Sequence, residues 1–245
     1  MADVHDSIRD YWDRDSHTYD ATRSHAISDP VEAAAWREAL REAVPGSGAT
    51  VLDAGAGTGA LSLLAAELGY EVTALDLSPG MLAKAELKAK ERGLEERMRF
   101  VVGSASEPPP GPFDAVMERH VLWTLPDPVA ALRAWRGVAG RLVLFEGSWG
   151  RPDPVTRGKG LVARGLRLLM RTPPDHHAPY PEDVLAELPL AGAAPAQLVW
   201  AVYEAGWTAV RVKRLRDVEW AARLHEPRPL GWLEERPRYA IIADA

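Results

Sequence analysis

Cysteine is absent from the 245 residues, which excludes disulfides, thiolate nucleophiles and cysteine-ligated zinc. No apolar run approaches the length needed to span a bilayer. Met1-Ala2-Asp3-Val4-His5-Asp6 is acidic and lacks the apolar core of a secretory signal. An excess of basic charge is missing too. The formal charge is −6 and the pI is near 5.7, so nothing attracts nucleic acid or an anionic membrane over long range. No internal repeat is visible, and no histidine–carboxylate spacing completes a metal site; none is expected. These absences predict one cytoplasmic domain with a single substantial core, a small-molecule partner, no nucleic-acid or membrane partner, and room for a homodimer.

The most informative stretch is Asp53-Ala54-Gly55-Ala56-Gly57-Thr58-Gly59. An apolar run, Ala49-Thr50-Val51-Leu52, precedes it, and Leu61, Leu64 and Leu68 follow at helical spacing. Strand, glycine turn and helix start together form a nucleotide-type site: glycines admit a sharp turn, and the helix presents unpaired N–H groups. Gly55-x-Gly57-x-x-Ala60 also fits the dinucleotide fingerprint. Asp53 tips the balance, because a carboxylate beside a pyrophosphate repels it. S-adenosylmethionine carries an ammonium and a sulfonium and no phosphate, and Asp53 suits it.

Glu71-Val72-Thr73-Ala74-Leu75-Asp76 reads as a second strand ending in an acid about 20 residues past the glycines, placed to hold both ribose hydroxyls. Ser78-Pro79 starts a helix with Leu82, Ala85 and Ala89 on one face, and Gly93 stops it. Asp29-Pro30 starts another, with Trp36, Leu40 and Val44 in register. Further strands are read at Phe100–Val102, Phe113–Met117 and Arg141–Glu146, and Asp127-Pro128 caps a helix carrying Leu132 and Trp135. A helix near Ala196–Ala205 leads to strands near Thr208–Lys213 and Tyr239–Ala243. The alternation predicts an α/β, doubly wound, Rossmann-like sheet. Residues 1–28 are read as an N-terminal helical cap and 148–194 as an inserted lid within one domain.

Val51-Leu52-Asp53-Ala54-Gly55-Ala56-Gly57-Thr58-Gly59, followed by Ala74-Leu75-Asp76-Leu77-Ser78-Pro79-Gly80-Met81-Leu82, resembles the class I adenosylmethionine-dependent methyltransferases. The ubiquinone/menaquinone-methyltransferase-like small-molecule branch is most similar, from about Tyr11 to Gly150. The resemblance implies seven strands with the last running antiparallel between its neighbours. It implies that Gly55 and Gly57 line the methionine portion, that Asp76 holds the ribose, and that Leu77 and Met81 flank the adenine. Where the family usually has an acid after the third strand, this chain has Ser104-Ala105, and Ser104 is expected at the adenine. Cap tyrosines close over the methionine end in many members. Tyr11 and Tyr19 lie eight residues apart, near one face if the helix is continuous, and Arg23 continues that face towards the cofactor carboxylate.

Ligands of open α/β sheets bind at the carboxyl ends of the strands. The fourth strand runs into Glu118-Arg119-His120, which makes these the catalytic candidates. His120 has the intrinsic pKa to accept a proton near neutrality. Glu118 can orient an amine or serve as base, Arg119 can grip a carboxyl group, and the two can equally form an ordinary ion pair. Trp123 and Trp149 are candidates for an aromatic wall against the acceptor, and His176, His177 and Tyr180 for substrate contacts from a polar loop. Arg157, Arg164, Arg167 and Arg171 fall opposite Val162, Leu166 and Leu169 on a predicted helix, and read as a solvated face.

Three activities fit. The leading one is methylation of an amine or hydroxyl of a small metabolite, in specialised (natural-product) biosynthesis. A nucleic-acid methyltransferase is opposed by the lack of an Asn/Asp-Pro-Pro-aromatic signature after strand four. A non-methylating cyclase or binder on the same fold is the third.

Overall fold

The computed structural model describes residues 4–21, 25–147, 154–171, 182–225, 227–234 and 236–245. In chain order the elements are α1 (Val4–Asp15), α2 (Pro30–Ala43), β1 (Thr50–Ala54), α3 (Ala60–Glu67), β2 (Glu71–Asp76), α4 (Pro79–Glu91), β3 (Met98–Val102), β4 (Ala115–Arg119), α5 (Pro128–Arg136) and β5 (Arg141–Gly147). There follow α6 (Pro154–Met170), α7 (Glu182–Ala186), α8 (Pro195–Glu204), β6 (Thr208–Arg214), α9 (Arg216–His225), α10 (Leu230–Leu233) and β7 (Arg238–Asp244).

Helix starts follow the local chemistry. Asp29 Oδ1 accepts the N–H groups of Val31 and Glu32 at 2.8 and 3.0 Å, Ser78 Oγ that of Met81 at 3.1 Å, and Asp127 Oδ1 that of Ala130 at 2.8 Å. Proline follows each of these caps, where a missing N–H costs nothing.

The sheet has seven strands in the order β3-β2-β1-β4-β5-β7-β6. β1 to β5 are parallel, and β7 is antiparallel to both β5 and β6, as expected. Strand alternation separates two cores. On one face Val51, Met117, Phe145 and Ile242 pack against Trp36 and Leu40 of α2 and Leu61 and Leu64 of α3. On the other, Leu52, Val116, Leu144 and Ile241 pack against Leu132 and Trp135 of α5 and Leu198 and Val202 of α8.

Two boundaries move, and both matter for the site. β1 continues to Ala54, so Asp53 lies inside the strand. β4 spans Ala115–Arg119 rather than 113–117, which brings Glu118 and Arg119 into the ladder. The cause is Asp114, whose carboxylate accepts from the N–H and hydroxyl of Thr50 at 2.7 and 2.9 Å and sets the strand's entry. The cap is also broken. α1 ends at Asp15 and a 3-10 turn covers Tyr19–Ala21, so helical spacing does not relate Tyr11 to Tyr19.

The cap is fastened to the α4 side. Asp13 Oδ1 accepts from Ser78 Oγ at 2.8 Å and from the Gly80 N–H at 2.9 Å, an anion at a helix N-terminus. Those bonds hold the Asp13 carboxyl below its usual range, the Gly80 N–H contributing most. Asp20 accepts the Thr58 hydroxyl at 2.6 Å and pairs with Lys88 at 2.8 Å. Between β5 and α8, Val184 of α7 and Leu188 just beyond it pack against Ile8 of α1.

Trp135 is fully buried, and its Nε1–H donates to the Ala105 carbonyl at 2.7 Å. Trp135→Phe keeps the apolar bulk and strands that carbonyl. We expect stability to fall by about 1–3 kcal/mol, read from urea midpoints; an unchanged midpoint would show the bond contributes nothing.

Candidate functional site

The glycine turn is built by the ends of β1 and β2. The N–H groups of Gly55 and Ala56 both donate to the Leu75 carbonyl, at 2.7 and 2.9 Å. Gly55, Gly57 and Gly59 have φ of 78°, 55° and 81°, the left-handed region that glycine tolerates. A Cβ on Gly55 would come within 2.3 Å of Val121 Cγ2, so the space is closed to any larger residue. Asp76 ends β2 with both oxygens engaged: Oδ2 accepts from Gly57 N–H at 2.7 Å and Oδ1 from Ser78 N–H at 2.8 Å. Burial raises its pKa, against the lowering effect of those N–H donors.

A crevice of ≈ 700 Å³, part of it open to solvent, lies over these strand ends. Tyr19, Gly55, Gly57, Asp76, Leu77, Met81, Ser104, Ala105, Arg119 and His120, all predicted site residues, line it together. Ile8, Trp12, Val121, Thr124, Leu125 and Pro126 line it as well and were not predicted. Ile8 and Trp12 stand one helical turn apart on α1, a signal that was there to read. Tyr11 is not a lining residue; it packs edge-on against Trp12 at 5.1 Å. Tyr19 lies over the glycine turn, its ring stacked on His25 at 4.0 Å between centroids.

Asp53, Glu118 and Trp123 are also absent from the lining. Asp53 is 2% exposed and accepts from Ser62 Oγ at 2.5 Å, beneath the turn; burial pushes its pKa up to about 6. Glu118 and Arg119 take opposite sides of β4, as successive strand residues must. They do not form the alternative ion pair. Glu118 Oε2 accepts from Val121 and Leu122 N–H at 2.6 and 3.3 Å, so the carboxyl shapes the turn that closes on Gly55. Oε1 is buried with no hydrogen-bond partner, and burial raises the Glu118 pKa to about 8. Trp123 is half-buried in the apolar packing between the cap and the α5 side of the sheet. Arg23, Trp149, His176, His177 and Tyr180 lie outside the described residues.

Arg119 points to the α2 side. Its guanidinium carbon sits 5.7 Å from the Trp36 ring centroid and Nη2 donates to the His25 carbonyl at 2.7 Å, while Nη1 is buried without a hydrogen-bond partner. His120 follows in the left-handed region, φ 63°, which is costly for a residue with a Cβ. Its Nδ1 lies 3.3 Å from Glu146 Oε2, and Glu146 is 2% exposed. Burial, then Arg119, Arg238 and His25, hold the His120 pKa well below the usual histidine range. Glu146 went unpredicted, although an acid at the carboxyl end of a central strand was visible in the sequence.

Among the described residues no cluster of three or more His, Cys, Asp or Glu is arranged to hold a metal ion, and no helix is long and apolar enough to cross a membrane.

Residues 52–142 match the family model described as "Methyltransferase domain". Among curated proteins the chain is similar to the ubiquinone biosynthesis O-methyltransferase of Xanthomonas campestris pv. campestris, 44% identical over 98 residues. That match covers 39% of this chain and 40% of the relative. Among solved structures it is similar to the geranyl diphosphate C-methyltransferase of Streptomyces coelicolor A3(2), with a TM-score of 0.62 at 15% identity over 100% of this chain and 98% of that one. It is also similar to the [4+2]-cyclase SpnF, with a TM-score of 0.58 at 20% identity over 85% of this chain and 79% of that one. These two likenesses bear on the fold.

A carboxyl whose folded pKa exceeds its unfolded value binds its proton more tightly when native. Its stabilising contribution is complete below the unfolded pKa and is lost as pH rises through the folded one. Glu118 therefore makes stability fall from its ordinary 4.5 towards about 8. In Glu118→Gln that slope is expected to flatten, measured by urea denaturation at a series of pH values; an identical slope would place the titration elsewhere.

Proposed function

We propose that the chain, whose residues 52–142 match a methyltransferase-domain model, transfers the sulfonium methyl group of S-adenosylmethionine to an oxygen or nitrogen of a small-molecule acceptor beside His120. The observation that carries the reading is Asp76. Its carboxylate is fixed by two N–H donors at the mouth of a turn too tight for a Cβ, leaving its remaining lone pairs for a pair of vicinal hydroxyls. The crevice residues fit the donor. Leu77 and Met81 supply apolar faces for the adenine and Ser104 a hydroxyl for its edge. Tyr19 and Trp12 cover the methionine end, and Arg119, a lining residue whose buried Nη1 has no hydrogen-bond partner, suits a carboxylate of the cofactor or the acceptor.

The donor brings an activated methyl group, so the protein's task is alignment and, for a hydroxyl or ammonium acceptor, removal of a proton. With its pKa held low, His120 is neutral near pH 7 and ready to accept one. The 3.3 Å approach of Nδ1 to Glu146 Oε2 orients the ring at the crevice. Glu118 acts through the backbone, holding the 121–122 turn against Gly55, and Asp53 ties β1 to Ser62 of α3 beneath the glycine loop.

Specialised metabolism is the setting we propose, on the resemblance to small-molecule methyltransferases. The likeness to SpnF also keeps a second reading, a cyclase that binds the cofactor without spending it. Adenosylhomocysteine formed in step with methylated product supports transfer; isomerised product without it supports cyclisation.

Asp76→Ala is expected to weaken adenosylhomocysteine binding by at least about tenfold, the loss of hydrogen bonds to a charged group worth ~1.5–3 kcal/mol. Unaltered affinity by calorimetry would remove Asp76 from the ribose. His120→Asn should lower kcat by roughly 10²–10⁴ with little change in cofactor affinity, the usual range for a lost general base. Equal turnover would retire His120 from that role.

A further inference from the structure

Helix α6 turns its apolar side to solvent. Leu161, Leu168 and Leu169 are 69%, 77% and 81% exposed, and Val155 and Val162 are 68% and 55% exposed. At 3.6 residues per turn, steps of seven return to nearly the same side. Val155, Val162 and Leu169 thus form one row and Leu161 and Leu168 the next. Arg157 and Arg164 step by seven as well, along the border of the leucine row, and Arg171 follows the last residue of the helix. Arg157, Arg164 and Arg171 are exposed, as a solvated face requires, but Val162 and Leu169 on the opposite side are exposed as well. Leu166 is half-buried, but Ala163 is the fully buried residue of the helix. Arg167 turns inward instead, Nε donating to Glu234 Oε1 at 2.9 Å, and fastens α6 to α10.

The charge on this segment opposes that of the chain. Residues 154–171 contain five Lys or Arg and no Asp or Glu, in a protein of net charge −6. A strip of leucine and valine bordered by arginine on one helix is the pattern of interfacial helices that lie flat on anionic lipid. The whole-chain charge argued against a membrane partner; it averaged away this segregation. On α10, packed beside α6, Trp232 is 60% exposed, a residue type that settles at headgroup level.

We propose that α6 is a membrane-surface anchor. It lies in the plane of an anionic bilayer, with Leu161, Leu168, Leu169, Val155 and Val162 entering the headgroup–acyl boundary and Lys159, Arg164 and Arg171 meeting lipid phosphates. A second copy of the chain is the poorer occupant. A twofold contact through this face brings two arginine rows together, and the segment has no acid to pair with them. The anchor is independent of the methyl-transfer reading.

The test is co-sedimentation of the full chain with vesicles of phosphatidylglycerol and phosphatidylcholine, against phosphatidylcholine alone, at low and high salt. The protein is expected on the anionic vesicles, less so at high salt. Leu161→Gln/Leu168→Gln/Leu169→Gln should lower the partition coefficient at least about tenfold. Arg164→Glu/Arg171→Glu should do the same and remove the salt dependence. All these positions are exposed, so both variants should keep their melting temperature and adenosylhomocysteine affinity. Wild-type protein left in the supernatant under all conditions would overturn the proposal, as would variants that sediment like wild type. A dimer in the ultracentrifuge that the leucine variant dissociates, with no uptake by vesicles, would assign the face to a second copy instead.

Discussion

The site depends on one carboxylate. Asp76 joins the first two strands through the N–H groups of Gly57 and Ser78, which belong to the turns after β1 and β2. A half-buried acid of this kind is costly unless its oxygens are satisfied, and here backbone donors from two separate turns satisfy them. That fixes the relative position of the glycine loop and the α4 N-terminus. The same turn accepts no Cβ at Gly55, because Val121 fills the space, and Val121 is held there by its N–H bond to Glu118. The loop after β1 and the loop after β4 are therefore one packed unit, with the crevice above it.

The cap closes on that unit from outside. Asp13 binds the N-terminus of α4 and Asp20 binds Thr58 of the glycine loop and Lys88 of α4. These are partly exposed contacts, each individually weak. The arrangement sets a rigid floor under a cover held by separable polar ties, which suits a crevice that must admit and release a ligand.

Local chemistry was readable in the sequence. Asp29-Pro30, Ser78-Pro79 and Asp127-Pro128 start helices because a side-chain acceptor and a residue without an N–H suit that position in any fold. The central strands and the glycine turn followed from apolar runs and spacing, and ten predicted site residues meet in one crevice. The antiparallel place of β7 between β5 and β6 came only from family resemblance, since pairing partners are distant in sequence. What was misread depended on tertiary contacts. Thr50 pulls Asp114 and shifts β4 by two residues, which tucks Glu118 under the turn. Tyr11 was chosen over Trp12 because a break after Asp15 could not be seen. For α6, periodicity revealed two faces without saying which meets the body.

The central claim is that the crevice takes a cationic, phosphate-free nucleoside with its ribose on Asp76. Paired calorimetric titrations of the purified protein with adenosylhomocysteine and with NAD test it most directly. Saturable binding of adenosylhomocysteine and none of NAD is expected. Binding of the dinucleotide with no uptake of the sulfur nucleoside would contradict it.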